Sequence, residues 1–545
     1  MINEEWTSKK FDNWNIISLV RRQAERYADK VFIKFEDGQQ LTFSELNRKS
    51  DEFANSLSEF GITSGDRVFC LMKNSSEFLI SMFGIMKASA VFVPINTELK
   101  GVFLQHQFNN CSPRLVIVDE SLVSAFNGLE VLENPLSGVI VVGKEKLQNI
   151  PQALQAEKIF PFFDFIQPSF DCLVNTFLPS IHAICAIMYT SGTSGPSKGV
   201  LMPHGHFFSY AFGQVDGLKQ THDDIYYICM PLFHVNALNM QLLGSLLAGS
   251  SIFCVERFSA SSWLRHCIES QATLTNTLGV MTEYVHNLPE SNLDRTHSLR
   301  LVCAVPISKE WAENFQRRFG TKLYQAFGMT ESGIVYWGDL GDDELVPGCA
   351  GYLRSDLYET VIANPDNDEV LEVGCVGELL IRPRHAGIFS TGYFEMPEKT
   401  LEAWRSLWFH TGDACFFDAK GRMHYFDRIK DCIRRRGENI SAYEVEQALN
   451  SFDGIIETAA IGVKTTDSGG EEEILVFIVV SEEATFIYER LIEFCSEIMP
   501  RFAVPRFVKI VKMMPKTSSG KLSKSEFREK GLLVNPWDSR NVSNP

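Results

Sequence analysis

The sequence predicts an α/β protein: a large N-terminal domain of two helix-flanked sheets completed by a β-rich subdomain, followed by a small α+β C-terminal domain. Three observations carry this. The 545 residues exceed what one hydrophobic core usually supports, so at least two domains are required. From Thr42 onward short apolar runs alternate with amphipathic stretches, the pattern of crossover units on parallel sheets. From Val370 the texture changes to short strands punctuated by Gly374 and Gly421.

Val68-Phe-Cys-Leu71 reads as a strand, Glu77 to Met86 as a helix, and Val91-Phe-Val93, closed by Pro94, as a strand. Leu115-Val-Ile-Val118 and Val139-Ile-Val-Val142 continue the first sheet. Ile225 to Cys229, Ser251 to Val255 and Leu301 to Ala304 repeat the alternation and imply a second sheet packed on the first. Gly377-Glu-Leu-Leu-Ile381 and Met423-His-Tyr-Phe426 belong to the β-rich part. A helix from about Ser441 to Asn450 is expected, with Ser441 as N-cap and Glu444 closing a capping box. Ile474 to Val480 is a strand and Tyr488 to Ile498 a helix; the last 15 or so residues have no period and are expected to be a loose tail.

The formal charge of −17 argues against a general binder of nucleic acid or acidic membranes, which would repel it. Thirteen cysteines with no Cys-x-x-Cys pair suit a reducing compartment and buried thiols. The N-terminus has no apolar signal region, no run of about 18 apolar residues occurs, and the C-terminal Ser-Asn-Pro is not a peroxisomal address. A cytoplasmic protein without a membrane span is expected.

The most informative segment follows the apolar run Ile184 to Met188: Met188-Tyr-Thr-Ser-Gly-Thr-Ser-Gly-Pro-Ser-Lys-Gly-Val200. Thr190, Ser191, Thr193 and Ser194 offer hydroxyl donors, Gly192 and Gly195 let the backbone approach an anion, and Lys198 supplies a compensating charge. Such a loop, outside the carboxyl end of a strand, suits phosphate. It is not a Walker A loop, because Ser197-Lys198-Gly199 fails the required Gly-Lys-Ser/Thr at two of three positions. Its other reading is a flexible surface turn.

This loop, with Tyr324-Gln-Ala-Phe-Gly-Met-Thr-Glu331, His410-Thr-Gly-Asp413, Asp427-Arg-Ile-Lys-Asp431 leading into Gly437-Glu-Asn-Ile440, and Pro515-Lys-Thr-Ser-Ser-Gly-Lys521, resembles the adenylate-forming (AMP-binding) superfamily in order and spacing. Arg434-Arg-Arg-Gly-Glu-Asn-Ile-Ser441 and Pro231-Leu-Phe-His-Val-Asn236 resemble its acyl-CoA ligase branch, and Cys303-Ala-Val-Pro306 departs from the usual segment as the crotonobetaine/carnitine subgroup does. The resemblance implies an AMP-binding domain over residues 1–427, a hinge at 428–430 centred on Lys430, a mobile C-terminal domain over 431–530, and a tail over 531–545. It implies an ATP-dependent acid:CoA ligase with Mg²⁺ and coenzyme A, acting through an acyl-adenylate. The alternatives are an adenylation enzyme loading a carrier protein, and a nucleotide-binding homologue without catalysis.

Residue by residue, the resemblance gives Lys198 and the loop from Thr190 to Gly195 to the phosphates, and Gln325, Ala326, Phe327, Gly328, Met329 and Thr330 to the nucleotide. Asp413 and Arg428 fall to the ribose, Glu331 with Thr190 to Mg²⁺, and Lys521 to the carboxylate and α-phosphate. Phe327 stands where many members carry Tyr, and Gly279 where relatives often have Pro. Alone, Lys521 reads as a solvated loop lysine and Asp413 as a turn former. His234 is structural or functional by its own context; the resemblance puts it between the acyl pocket and the thiol tunnel. Gly437 is expected to let pantetheine pass, and Arg434 to Arg436 either bind CoA phosphates or form a solvated basic face. The acyl pocket is expected around Phe233 to Leu238, Thr275 to Met281 and Val302 to Ile307. His204-Gly-His206 has no further ligand at metal spacing and is read as opening a helix. The acid, the oligomeric state and the pathway are not legible.

Overall fold

The computed structural model describes residues 6, 10–143, 150–166, 178–190, 196–305, 307, 311–338, 340–341, 345–428, 432–465, 471–481, 486–515 and 524–541. Ser191 to Gly195, Pro306, Lys430 and Lys521 lie outside the described residues, as does the side chain of Arg428.

The first sheet has seven strands in the order Ile159–Pro161, Gly138–Val142, Leu115–Asp119, Arg67–Leu71, Val91–Pro94, Ile184–Thr190 and Lys198–Pro203. All pairs are parallel except the last, a hairpin. Its central strands are mainly apolar because both faces are covered. In Arg67–Leu71 the two-residue repeat sends Val68 and Cys70 into a central core and Phe69 and Leu71 into a second one, and all four are fully buried.

The second sheet runs Lys322–Tyr324, Leu301–Val305, Leu274–Leu278, Ile225–Ile228, Ser251–Cys254, Val31–Phe35 and Gln40–Thr42, and shares the central core with the first. Its terminal hairpin, Val31–Phe35 with Gln40–Thr42, precedes the stretch from which the sequence periodicity is read. The hairpin leads directly into the helix Phe43–Phe60, whose capping box joins Thr42 to Glu45: the Glu45 N–H donates to Thr42 Oγ1 (3.1 Å) and the Thr42 N–H to Glu45 Oε2 (2.9 Å). The β-rich part is a third sheet of seven antiparallel strands, from Ala326–Met329 at one edge to Tyr358–Ala363 at the other. The expected layers are therefore present. No helix among the described residues is long and apolar enough to cross a membrane.

The smaller C-terminal unit contains the hairpin Cys432–Arg435 and Glu438–Ser441, the helices Ala442–Asn450 and Tyr488–Ile498, and a four-stranded sheet ordered Ile455–Lys464, Glu472–Val480, Phe507–Ile510, Trp537–Asp538. The second core is continuous across the two units, from Phe103, Leu104 and Ile187 into Ile433, Val445 and Leu491. The loose-tail expectation for 531–545 fails for its described part. Trp537 and Asp538 add an antiparallel strand to Phe507–Ile510, the Trp537 ring stacks on Tyr488 at 5.0 Å, and Asp538 pairs with Arg506 at 3.1 Å. Local aperiodicity concealed this because the segment is held by long-range partners, not by its own repeat.

Deleting residues 535–545 is expected to destabilise the C-terminal unit by about 2 kcal/mol, from the stacked ring and the ion pair. Hydrogen exchange at Phe507–Ile510 should rise accordingly; unchanged protection and an unchanged urea midpoint would restore the loose tail.

Candidate active site

The hairpin that carries the expected anion-binding loop is built by Ile184–Thr190 and Lys198–Pro203, in which Thr190 is paired with Lys198. Lys198 thus begins the returning strand. Its Nζ lies 4.4 Å from the centroid of the Tyr393 ring, and the Tyr393 hydroxyl donates to Glu331 Oε1 at 2.9 Å. Glu331 is buried, and its carbonyl accepts the Ser390 N–H at 3.0 Å. A cation, a phenol and a carboxylate are thereby linked at the mouth of the hairpin. Tyr393 carries no expected role; its segment Ser390-Thr-Gly-Tyr-Phe394 has no catalytic residue type to attract notice beyond the phenol.

Among the described residues no group of three or more His, Cys, Asp or Glu could by itself hold a metal. One carboxylate oxygen of Glu331 is taken by Tyr393, and no hydrogen bond from a described residue occupies the other. A single carboxylate completed by phosphate oxygens and water is a donor set that Mg²⁺ uses, so Glu331 fits the ion. His204 and His206 open the helix His204–Leu218 and are buried. Burial lowers their pKa values to about 4 and about 3, so both are neutral core side chains.

The strand Ala326–Met329 and the turn through Thr330 lead to Glu331. Phe327 is half-buried and meets Tyr336 edge-on at 6.3 Å. Met329 is fixed by its backbone, its N–H donating to Ser332 Oγ at 3.2 Å and its carbonyl accepting the Tyr210 hydroxyl. The Gln325 side chain is turned away from any ligand role. Its Nε2 donates to the carbonyls of Val346 (3.0 Å) and Cys349 (3.1 Å), and its Oε1 accepts the Ile307 N–H (3.3 Å). A buried amide with three backbone partners is scaffold.

Asp413 is buried in the strand Phe409–Phe417, in register with Arg428. Gly412 before it has φ +71°, a conformation that favours glycine, and its N–H donates to Glu378 Oε1 at 2.9 Å. Glu378 Oε2 accepts from His410 Nδ1 at 2.9 Å and from Arg405 at 3.1 Å. Burial raises the Glu378 pKa, but the His410 and Gly412 donors outweigh it and hold the carboxyl below its ordinary range. Glu378 therefore sets the turn that aims Asp413. Nothing in its strand sequence marks that duty.

The C-terminal unit closes the same cleft. Gly437 has φ +79°, and a Cβ placed on it would lie 1.9 Å from Leu278 Cδ1. Its N–H donates to Glu471 Oε1 at 3.0 Å. The next residue, Glu438, bonds His234 Nε2 at 2.9 Å through Oε1. Burial opposes protonation of His234, yet the Glu438 carboxylate, with Glu98 behind it, more than offsets this and raises its pKa. Glu444, expected to cap its own helix, reaches across the cleft and accepts the Ser197 N–H at 2.8 Å. Ser197 is also gripped by His106 Nε2 on its carbonyl (2.8 Å) and Gln107 Nε2 on its hydroxyl (3.2 Å). Of the three arginines, Arg435 is committed to the interior. It lies 2.6 Å from Glu473 and donates to the carbonyls of Phe502 and Val504, which removes it from any solvated basic face. Arg436 is exposed.

Burial raises the Glu444 pKa from 4.5 to about 7, against the smaller effect of the Ser197 N–H. A carboxyl with a raised pKa in the docked state contributes stability below its undocked pKa, and that contribution declines as pH rises between about 4.5 and 7. His234, with its raised pKa, contributes in the same direction, losing its share as pH climbs through the raised value. The docked fraction, read by single-molecule energy transfer between labels on the two units, should fall as pH rises across this range. Glu444→Gln keeps the acceptor for Ser197 and should flatten the acidic part of the curve; an unaltered curve would remove Glu444 as its source.

A family model described as AMP-binding enzyme matches residues 20–394, and one described as AMP-binding enzyme C-terminal domain matches residues 444–521. The chain is 29% identical over 516 residues to a crotonobetaine/carnitine–CoA ligase of Salmonella paratyphi A, covering 93% of this chain and 97% of that protein. Its fold is shared with o-succinylbenzoate CoA synthetase from Bacillus subtilis (TM-score 0.79, 22% identity, 94% and 98% of the two chains). It is shared equally with an amide bond synthetase from Marinactinospora thermotolerans (TM-score 0.78, 22% identity, 94% and 99%). With its matched segments spanning the hairpin of Lys198, the Tyr393–Glu331 pair and the closing unit, the chain belongs to the AMP-binding enzyme family.

Proposed function

We propose that the chain is an AMP-forming acid–CoA ligase of the cytoplasm. The observation that carries the reading is the docking of Gly437 on Leu278 and of Glu438 on His234, beside the hairpin of Lys198. Lys198, Tyr393, Glu331 and Asp413 offer what an adenylate needs, a cation and buried polar groups for an anionic nucleotide. A glycine-lined loop pressed against the other end of the cleft suits an acceptor that enters as a narrow thread, as the pantetheine arm of CoA does. The CoA ligases among the relatives support the same acceptor.

In the first half-reaction a carboxylate oxygen attacks the α-phosphorus of ATP and the bond to the bridging oxygen of pyrophosphate breaks. Lys198 counters the phosphate charge, while Asp413 accepts the ribose hydroxyls with Arg428 in register beside it. Glu331, with Thr190, would hold Mg²⁺, and the ion would supply positive charge against the phosphates. Lys521 joins the carboxylate to the α-phosphate. In the second half-reaction the thiol sulfur gives up its proton and attacks the acyl carbon, and the acyl–oxygen bond to AMP breaks. His234 stands at the acyl end with its ring orientation fixed by Glu438, a positioning residue. Residues 428–430 serve as the hinge between a domain ending near 427 and one spanning 431–530.

The reading is tested by acid-dependent pyrophosphate release with Mg-ATP across alkanoates, aryl acids and betaines, with and without CoA. A thioester should accumulate only with CoA; transfer to a carrier protein but not to CoA would replace the reading with carrier loading. Lys521→Ala should lower adenylate formation about 100-fold, the size of losing one charged stabiliser, while sparing thioester formation from supplied acyl-AMP. Gly437→Ala should do the reverse. Its left-handed backbone and the approach to Leu278 penalise a side chain by about 1–2 kcal/mol, about tenfold in the second step. Equal losses in both steps for either variant would count against the division of labour.

A further inference from the structure

A chain of uncharged polar side chains runs through the second sheet to the cleft, and neither half-reaction uses it. It begins at Gln214 on the helix His204–Leu218, whose Nε2 donates to the Tyr226 hydroxyl. The Tyr226 hydroxyl donates to Asn276 Oδ1, and Asn276 Nδ2 donates to Asn236 Oδ1 at 2.9 Å. Gln241 Nε2 donates to the same Asn236 oxygen at 3.1 Å. Gln214, Tyr226, Asn276 and Gln241 are fully buried, whereas Asn236 is half-buried. Asn236 opens a π-helix, Asn236–Leu242, a rare winding that recurs at functional sites.

The position of Asn236 gives the chain its meaning. His234, Val235 and Asn236 form a half-buried lip between buried Phe233 and Ala237, and His234 is the residue that meets Glu438. Asn276 lies two residues before Leu278, the side chain under Gly437. The two asparagines therefore bond each other where the lip and the strand Leu274–Leu278 meet below the docked loop.

The direction of the hydrogen bonds fixes what Asn236 presents. Its oxygen takes two N–H donors from behind, so flipping the amide would set N–H against N–H. The hydrogen bonds of this half-buried residue to described partners engage its oxygen, and none from its amide nitrogen accompanies them. Further buried amide atoms on the same ring of elements, Asn239 Nδ2 and Oδ1, Gln214 Oε1 and Gln241 Oε1, have no partner among the described residues. An apolar acyl pocket has no use for such groups, which are costly unless something polar meets them.

We propose that Asn236 is a specificity-determining residue, and that the acid carries an uncharged hydrogen-bond acceptor, a hydroxyl or carbonyl, close to its carboxylate. The inference rests on the ligase reading and names its substrate class. A second carboxylate is disfavoured because the network contains no cation to meet it. Gln214, Tyr226 and Asn276 act through Asn236 as positioning residues.

The test is ATP–pyrophosphate exchange with four- and five-carbon alkanoates beside their 2-, 3- and 4-hydroxy forms. At least one hydroxy acid should exceed its parent about tenfold in kcat/KM, the scale of one half-exposed hydrogen bond. Asn236→Leu should bring that ratio to about one, and the near-isosteric Tyr226→Phe should lower it several-fold with the KM for ATP unmoved, even where the lost buried hydrogen bonds lower Tm. Preference for no hydroxy acid, or a ratio unmoved in Asn236→Leu, overturns the inference while leaving the ligase reading intact. If Asn236→Leu does not fold, an unmoved ratio in Tyr226→Phe overturns it equally. Exchange with no acid at all would remove the ligase reading, and the inference with it.

Discussion

One backbone amide sits where the two units of this molecule depend on each other. The Ser197 N–H, one residue before Lys198, ends on a carboxyl that belongs to the closing unit, while His106 and Gln107 hold the same residue from the helix Gly101–Cys111. The hairpin that presents the cation and the unit that presents Gly437 are thus registered against a common point. Burial of Glu444 makes the contact costly for a charged carboxylate, so it is strongest when the carboxyl keeps its proton. A contact of that kind holds without locking, as the proposed hinge between the two units would require.

Charge is distributed along the cleft accordingly. At the hairpin end Lys198 meets the face of Tyr393, whose hydroxyl ties Glu331, and this arrangement orients the cation. At the far end the charged pair is His234 with Glu438, one from each unit. The two ends of the cleft therefore differ in charge, a difference that the proposed adenylation and thiol transfer would use.

Much of this was legible in the sequence, for identifiable reasons. Fully buried parallel strands such as Arg67–Leu71 must be apolar on both faces, and the run declares itself. The motif residues Lys198, Glu331, Asp413 and Gly437 stand in segments whose composition is constrained by anions or by backbone conformation. What escaped was set by tertiary partners. Gln325 looks like a nucleotide ligand and is spent on three backbone groups. Glu444 looks like a capping residue and spans the cleft. Glu378 and Tyr393 act through residues distant in the chain, and no local pattern encodes such a partnership. Arg435 shows the same limit, since a run of three arginines does not say which one will find a buried glutamate.

The short strand Trp537–Asp538 has a bearing on how the protein behaves outside its working state. Without it the strand Phe507–Ile510 would end the small sheet with unpaired N–H and C=O groups beside the apolar run Glu472–Val480. An open edge of that composition is a template for pairing between molecules. The segment therefore acts as a guard rail against self-association, held by one stacked indole and the Arg506–Asp538 pair. Loss of this cover, by nicking or by partial heating, would turn a covered edge into an adhesive one before the catalytic cleft itself is disturbed.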